Sequence, residues 1–307
     1  MNGFLSKLIT RLYKEDKVML KKIKNRNEMN VTAKILNYLM LIIILIIMIL
    51  PMINVLAVSL STKLGSMQPG IRLIPDNFTL EGYKDIWNRV QLWIPFFNSF
   101  FVTTVGTFIQ VILSSMAGYV LIQQNLPFKK LMTSIIMVTM MIPGDLTLIS
   151  IYSLNKQLNL LNSYSGLIIN GLVSGFSILL MRNYFMSVPN SLAESARIDN
   201  ASEFIIFRKI YLPLSIPGLA TIFFMEFVNK WNSLMIPVTI ITKQSLYTLP
   251  MILKSLVFNT ASQSGQEFIA PNAIMAAIVI SVIPLIILYV FAQKFLVTGM
   301  NLGASKE

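Results

Sequence analysis

Six long apolar runs dominate the chain, at Lys34 to Leu60, Phe96 to Leu121, Leu131 to Leu154, Gly166 to Phe185, Leu219 to Ile241 and Asn272 to Lys294. Each is close to the roughly 20 residues with which a helix, rising about 1.5 Å per residue, crosses about 30 Å of hydrocarbon. Within each run the apolar residues are continuous, whereas barrel strands alternate in polarity over roughly ten residues, so the spans read as helices. The sequence therefore predicts an all-α, polytopic membrane protein with six transmembrane helices. A hydrophobic content of 55%, a charged content of 12% and a mean hydropathy of +0.68 agree with that class. The first run begins too late and extends too far for a cleaved signal peptide and reads as a retained anchor.

A net charge of +12 invites a nucleic-acid reading until the basic residues are placed against the spans. With the N-terminus inside, 17 of the 25 lysines and arginines fall on the inner side, while Lys63, Arg72, Lys84, Arg89, Lys156, Lys243 and Lys254 fall outside and Lys230 lies within the fifth run. This asymmetry predicts a multi-pass membrane protein with both termini in the cytoplasm, in contact with lipid and with no nucleic-acid partner. The chain has neither cysteine nor histidine. Disulfides, thiolate metal sites, histidine-ligated zinc and Ser-His-Asp or Cys-His catalysis are thereby excluded. No Gly-x-x-x-x-Gly-Lys-Ser/Thr phosphate cradle occurs either, so no ATP site is expected on this chain.

Residues 1–33 form a basic N-terminal segment in which Phe4, Leu5, Leu8, Ile9, Leu12 and Tyr13 make one apolar stripe, either an interfacial helix or a solvated tail. Residues 34–297 form the six-helix domain, and 298–307 a cytoplasmic tail. In the outer loop from Ser61 to Ile94, Thr79 is placed to cap a short helix running to Arg89.

The inner loop 186–216 carries the most information. Ser191 with Glu194 has capping-box spacing, which predicts a short helix from Leu192 to Ile198, broken at Asn200. A second amphipathic helix is predicted from Ser202 to Tyr211, with Phe204, Phe207 and Ile210 on one face, ended by Pro213 and Pro217. Two short helices joined at an angle make a rigid element suited to transmit force from a partner.

Glu194, Ala196, Asp199, Ala201, Phe207, Ile210, Leu212 and Pro213 match E-A-A-x-x-D-G-A followed by F and I-x-L-P, the carbohydrate-type motif of permease subunits of ATP-binding-cassette importers. The chain resembles that family closely. Asn98-Ser99-Phe100, Gly118-Tyr119 and Trp231-Asn232 are similar to the maltose-permease class, and Gly299 to Ala304 to its complex-oligosaccharide subgroup. Two positions depart from the motif: Ser195 stands where alanine is usual and Asn200 where glycine is usual, the latter compatible with a left-handed turn. The resemblance implies a type I importer permease fold with a coupling-helix loop. It implies ATPase-coupling roles for Glu194, Ser195, Ala196, Asp199, Asn200, Ala201, Phe207, Leu212 and Pro213. It further implies a second homologous permease, two copies of a cytoplasmic ATPase that bind ATP and magnesium, and an external sugar-binding protein, with no cofactor on this chain.

Polar residues within spans mark a water-filled path or a helix interface. The pathway candidates are Asn98, Asp145, Glu226, Asn229, Trp231 and Asn232. Glu226 and Lys230, at i and i+4, are expected to pair with each other, and Pro143-Gly144 to open a helix beside Asp145. A secondary carrier driven by an ion gradient, or an importer of a polyol or glycerol phosphate, are the alternative readings.

Overall fold

The computed structural model describes residues 31–88, 90–261 and 268–304, and among them every regular element is helical. The elements are α1 (Val31–Ser59), α2 (Lys63–Met67), α3 (Glu81–Asn88), α4 (Trp93–Ile122) and α5 (Lys129–Met141). A 3-10 turn, Gly144–Thr147, leads to α6 (Leu148–Gln157), α7 (Tyr164–Ile169), α8 (Gly175–Met186) and α9 (Asn190–Ile198). After α10 (Glu203–Ile206) come a π turn, Phe207–Tyr211, and α11 (Leu212–Leu214), then α12 (Ile216–Trp231), α13 (Met235–Ile240), α14 (Leu249–Ala261) and α15 (Pro271–Ala304). The expectation for the N-terminal amphipathic stripe falls outside the described residues.

The chain divides into two compact units. The first comprises Met1–Asn54 and Ile71–Leu73; its described part of α1 is exposed from Val31 to Ile49, and Asn54 Nδ2 donates to the Arg72 carbonyl at 3.2 Å. A helix this apolar and this exposed is suited to a lipid environment.

The second unit comprises Val55–Gly70 and Ile74–Glu307 and is built around α4, which packs along α8 and α12, with α12 packing on α15 and α15 on α3. α4 is polar inside and apolar outside. Its buried face carries Asn98, Ser99, Thr103, Thr107, Gln110 and Ser114, and its exposed face Phe97, Phe101, Phe108, Ile112 and Met116. That inversion of the soluble pattern is what a helix surrounded by hydrocarbon requires, with small residues allowing close approach. At Gly118 a Cβ would stand 2.9 Å from both the Arg182 amide nitrogen and Met181 Cβ, so only glycine lets α4 and α8 meet there. On α3, the Thr79 hydroxyl accepts from the Glu81 amide at 3.2 Å, the capping bond expected from the sequence.

Among the described residues, three helices are long and apolar enough to cross a membrane, Val31–Ser59, Trp93–Ile122 and Pro271–Leu296, and up to five spans are counted if each of two bent pairs is one span. The expected count of six transmembrane helices is thus not reached by length and composition among the described residues. The third run breaks at Pro143, where Lys129–Met141 and Gly144–Gln157 meet at 91°, because proline lacks the amide hydrogen the helix needs. The fourth splits between Ile169 and Gly175: Asn170 Nδ2 caps back onto the Gly166 carbonyl at 2.6 Å, and the Ser174 hydroxyl restarts the helix by accepting from the Ser177 amide at 3.3 Å. The fifth is likewise divided, α12 ending at Trp231 and α13 starting at Met235. The last helix continues to Ala304, so most of the expected tail 298–307 is helical.

Candidate functional site

The loop between α8 and α12 folds as an elbow. α9 begins at Asn190, behind Pro189, and no side chain caps it; Ser191 lies inside the first turn, so the expected capping box with Glu194 does not form. Its other end follows expectation. Asn200 has φ of 59°, its amide donates to the Arg197 carbonyl at 3.0 Å, and the Ala201 amide donates to the Ala196 carbonyl at 2.9 Å. Those two bonds around one left-handed residue are a Schellman motif, with asparagine in the usual glycine position.

The second arm is wound more loosely, over part of its length, than the single predicted α-helix. α10 gives way to the π turn over Phe207–Tyr211, and this arm meets α12 at 79°. The extra residue per turn re-aims the side chains: Phe207 is buried, whereas Phe204, expected on the same face, is 63% exposed.

The elbow is held by an aromatic knot. Tyr119 of α4 lies 5.0 Å from Tyr211 and 5.2 Å from Phe207 between ring centroids, and Phe185 of α8 lies 5.6 Å from Tyr211 with rings at 89°. Met181, Val188, Ala193, Ile206 and Ile222 complete this buried cluster. The two edge-to-face pairs, Tyr119–Tyr211 and Phe185–Tyr211, add about 0.5–1.5 kcal/mol each beyond the area they bury.

Above the knot runs a polar latch. Arg197 Nε donates to Glu203 Oε1 at 2.7 Å and its Nη2 to Oε2 at 3.3 Å, Nη2 also reaches Gln123 Oε1 at 3.3 Å, and the Tyr119 hydroxyl donates to Glu203 Oε2 at 2.5 Å. The Arg197 guanidinium, with the Tyr119 hydroxyl second, holds the Glu203 carboxyl below the usual carboxylate range. The latch residues lay outside the sequence-based site: Arg197 and Glu203 are six apart, a spacing no regular helix brings together, and Tyr119 and Gln123 come from a distant element.

The coupling candidates thus divide into two sets. Glu194, Ser195, Asp199, Asn200 and Pro213 are exposed, while Ala196, Ala201 and Leu212 are half-buried and Phe207 is buried. Beside the exposed polar set stands Ile198, 81% exposed.

The pathway candidates do not form one cluster. Asn229 and Trp231 line a cavity of about 150 Å³ together with Ser99, Thr103, Lys230 and Thr248. Trp231 is nonetheless a core residue, 2% exposed, its Nε1 donating to the Ser281 carbonyl at 3.0 Å and its ring stacked 5.9 Å from Phe227. Asn98 is buried with Nδ2 bonded to the Ser245 and Tyr247 carbonyls, both at 2.9 Å, and Oδ1 accepting from Tyr164 at 2.7 Å. Asp145 is exposed on the 3-10 turn, and Asn232 is exposed where α12 ends. Glu226 and Lys230 do not pair as expected: Glu226 accepts from the Ser177 hydroxyl and Lys230 donates to the Gly171 carbonyl, each turned towards a different neighbouring segment.

Known proteins are similar to this chain. The chain is 31% identical over 277 residues to the polygalacturonan/rhamnogalacturonan transport system permease protein YtcP of Bacillus subtilis, covering 88% of this chain and 96% of that protein. It is 28% identical over 281 residues to the arabinooligosaccharides transport system permease protein AraQ of Halalkalibacterium halodurans, covering 90% of this chain and 98% of the relative. Among solved structures, a chain of a bacterial ABC transporter involved in the import of the acidic polysaccharide alginate superposes with a TM-score of 0.78 at 26% identity, over 88% of this chain and 99% of that one. Residues 110–302 match the family described as binding-protein-dependent transport system inner membrane component. The elbow, the inverted polarity of α4 and these likenesses agree, and the chain belongs to that family, the membrane-embedded permease subunits of ABC importers.

Proposed function

We propose that this permease forms, with a second homologous permease, the translocation pathway for an oligosaccharide delivered by an extracellular solute-binding protein. Two copies of a cytoplasmic ATPase bind ATP and magnesium and drive the cycle; this chain binds no cofactor of its own. Both termini lie in the cytoplasm, on the same side as the elbow.

The observation that carries this reading is the elbow's division into an exposed docking set and a buried holding set. Glu194, Ser195, Asp199 and Asn200 face outward and offer acceptors to the ATPase surface. Ala196, Ala201, Phe207 and Leu212 anchor the elbow to the membrane domain, and Pro213 stiffens its exit. Closure of the ATPases then moves the elbow as a body and switches the pathway between inward-facing and outward-facing states. The oligosaccharide assignment is supported by relatives named for arabinooligosaccharides and for polygalacturonan, each aligned over nearly its whole length.

Co-purification and uptake test it together. The tagged chain is expected to bring down an ATPase and a second permease, and the complex in proteoliposomes to import an oligosaccharide only with ATP. Uptake that survives removal of the ATPase and follows an ion gradient would establish a secondary carrier instead.

A further inference from the structure

The cavity beside α4 and α12 has a chemical bias that the oligosaccharide reading leaves unused. Of the residues on its wall, Lys230 alone is ionisable; the rest are apolar or neutral, among them Ser99, Thr103, Asn229 and Thr248. The backbone makes room for the lysine. A Cβ at Gly106 would sit 3.5 Å from Lys230 Cδ, and one at Gly171 would overlap the ammonium itself. Lys230 donates to the Gly171 carbonyl, which occupies one of three N–H groups and leaves two.

Among the described residues no carboxylate stands at ion-pair distance from Lys230, because Glu226, one turn away, is bonded to Ser177. A second, independent group points the same way: Thr248, 5% exposed and on the same wall, has a buried hydroxyl with no partner. The Ser99 hydroxyl accepts from the Leu249 amide at 2.7 Å and keeps its own proton to donate. An ammonium held in a half-buried site is costly unless an anion meets it, and hydroxyl donors beside it are suited to an oxyanion. The space, about 150 Å³ and open to its surroundings, suits one charged group and the edge of its ring.

We propose that this cavity is an anion subsite of the pathway that takes the carboxylate of a uronic-acid residue in the transported chain, with Lys230 as the charge partner and Thr248 as a hydroxyl donor. The proposal rests on the oligosaccharide-permease reading above and narrows it to acidic sugars.

The test uses the complete importer, with its binding protein and ATPases, in proteoliposomes. ATP-dependent uptake is measured for trigalacturonate and trimannuronate and for their fully methyl-esterified forms, which keep the rings and remove the charge. Lys230→Met is expected to lower the acid-to-ester uptake ratio about tenfold, as for loss of one charge-assisted hydrogen bond, Thr248→Val to lower it a few-fold, and Lys230→Arg to retain most of it. The ratio does not depend on how much complex assembles, and Thr248→Val with Lys230→Arg decides the matter if the Met variant fails to insert. An unchanged ratio in these variants, or a wild-type importer that takes only neutral oligosaccharides, overturns the subsite and leaves oligosaccharide import standing. Uptake of sn-glycerol 3-phosphate with no sugar transported overturns the oligosaccharide reading, and the subsite with it.

Discussion

Arg197 and Glu203 face each other across the left-handed turn at Asn200 and close it with two hydrogen bonds, the shorter at 2.7 Å. The Tyr119 hydroxyl makes Glu203 a three-way junction between α4, α9 and α10. Glu203→Gln is expected to keep the fold and to lower coupling between ATP hydrolysis and uptake several-fold, whereas Glu203→Asp, too short to reach both partners, is expected to behave similarly. The check is the number of solutes imported per ATP in proteoliposomes; equal stoichiometry in wild type and both variants would show that the latch does not position the elbow.

The same junction has a defined pH range. The Glu203 carboxyl is held below the ordinary glutamate value, near 4.3, so its contribution is complete above that value and is lost only as pH falls through the lower folded one. Both side chains are substantially exposed, so the contribution to global stability is small. Limited proteolysis within the 190–214 elbow is expected to be constant from pH 5 to 8 and to rise only below about pH 4.

Asn200 occupies a conformation that a residue with a Cβ adopts at a cost of about 1–2 kcal/mol. Asn200→Gly is expected to leave transport intact and raise the melting temperature slightly. Asn200→Val, β-branched at positive φ, is expected to disorder the turn and abolish ATPase stimulation while the protein still inserts. Thermal melts and ATPase assays on the purified complex measure both effects.

Ile198, 81% exposed beside the polar residues proposed to dock, is expected to be an anchor for the ATPase. Burying such a side chain is worth about 1.5–3 kcal/mol. Ile198→Asp is therefore expected to weaken ATPase association at least about tenfold in a pull-down titration, against a smaller effect for Ser195→Ala.

Trp231→Ala removes a packed side chain and is expected to cost about 3–5 kcal/mol, so that assembly fails before transport can be read. Trp231→Phe keeps most of the packing and loses the bond to Ser281, about 1 kcal/mol. Recovery of assembly and uptake with phenylalanine identifies the residue as a core element that only borders the cavity.

The first, second and last spans were legible because their apolar runs are unbroken, and hydropathy needs nothing more. The divided helices were not, since Asn170 and Ser174 end and restart a helix through side-chain bonds that a window average treats as mildly polar noise. At the elbow, the turn was readable from asparagine's tolerance of left-handed backbone, while the latch was hidden because its partners sit six and roughly eighty positions apart. Glu226 and Lys230 show the limit of spacing as a guide: i,i+4 proximity offers a pair, and in this chain Ser177 and Gly171 on neighbouring segments claim the two groups instead.

α4 is one uninterrupted helix of 30 residues, about 45 Å from end to end. Tyr119 is clamped to the elbow near one end and Ser99 borders the cavity near the other. Mechanically it is a lever with no joint: under the docking and subsite proposed above, torque applied at the elbow would reach the cavity through a single rod, so tilting that rod would open or narrow the cavity without any relay of side chains in between.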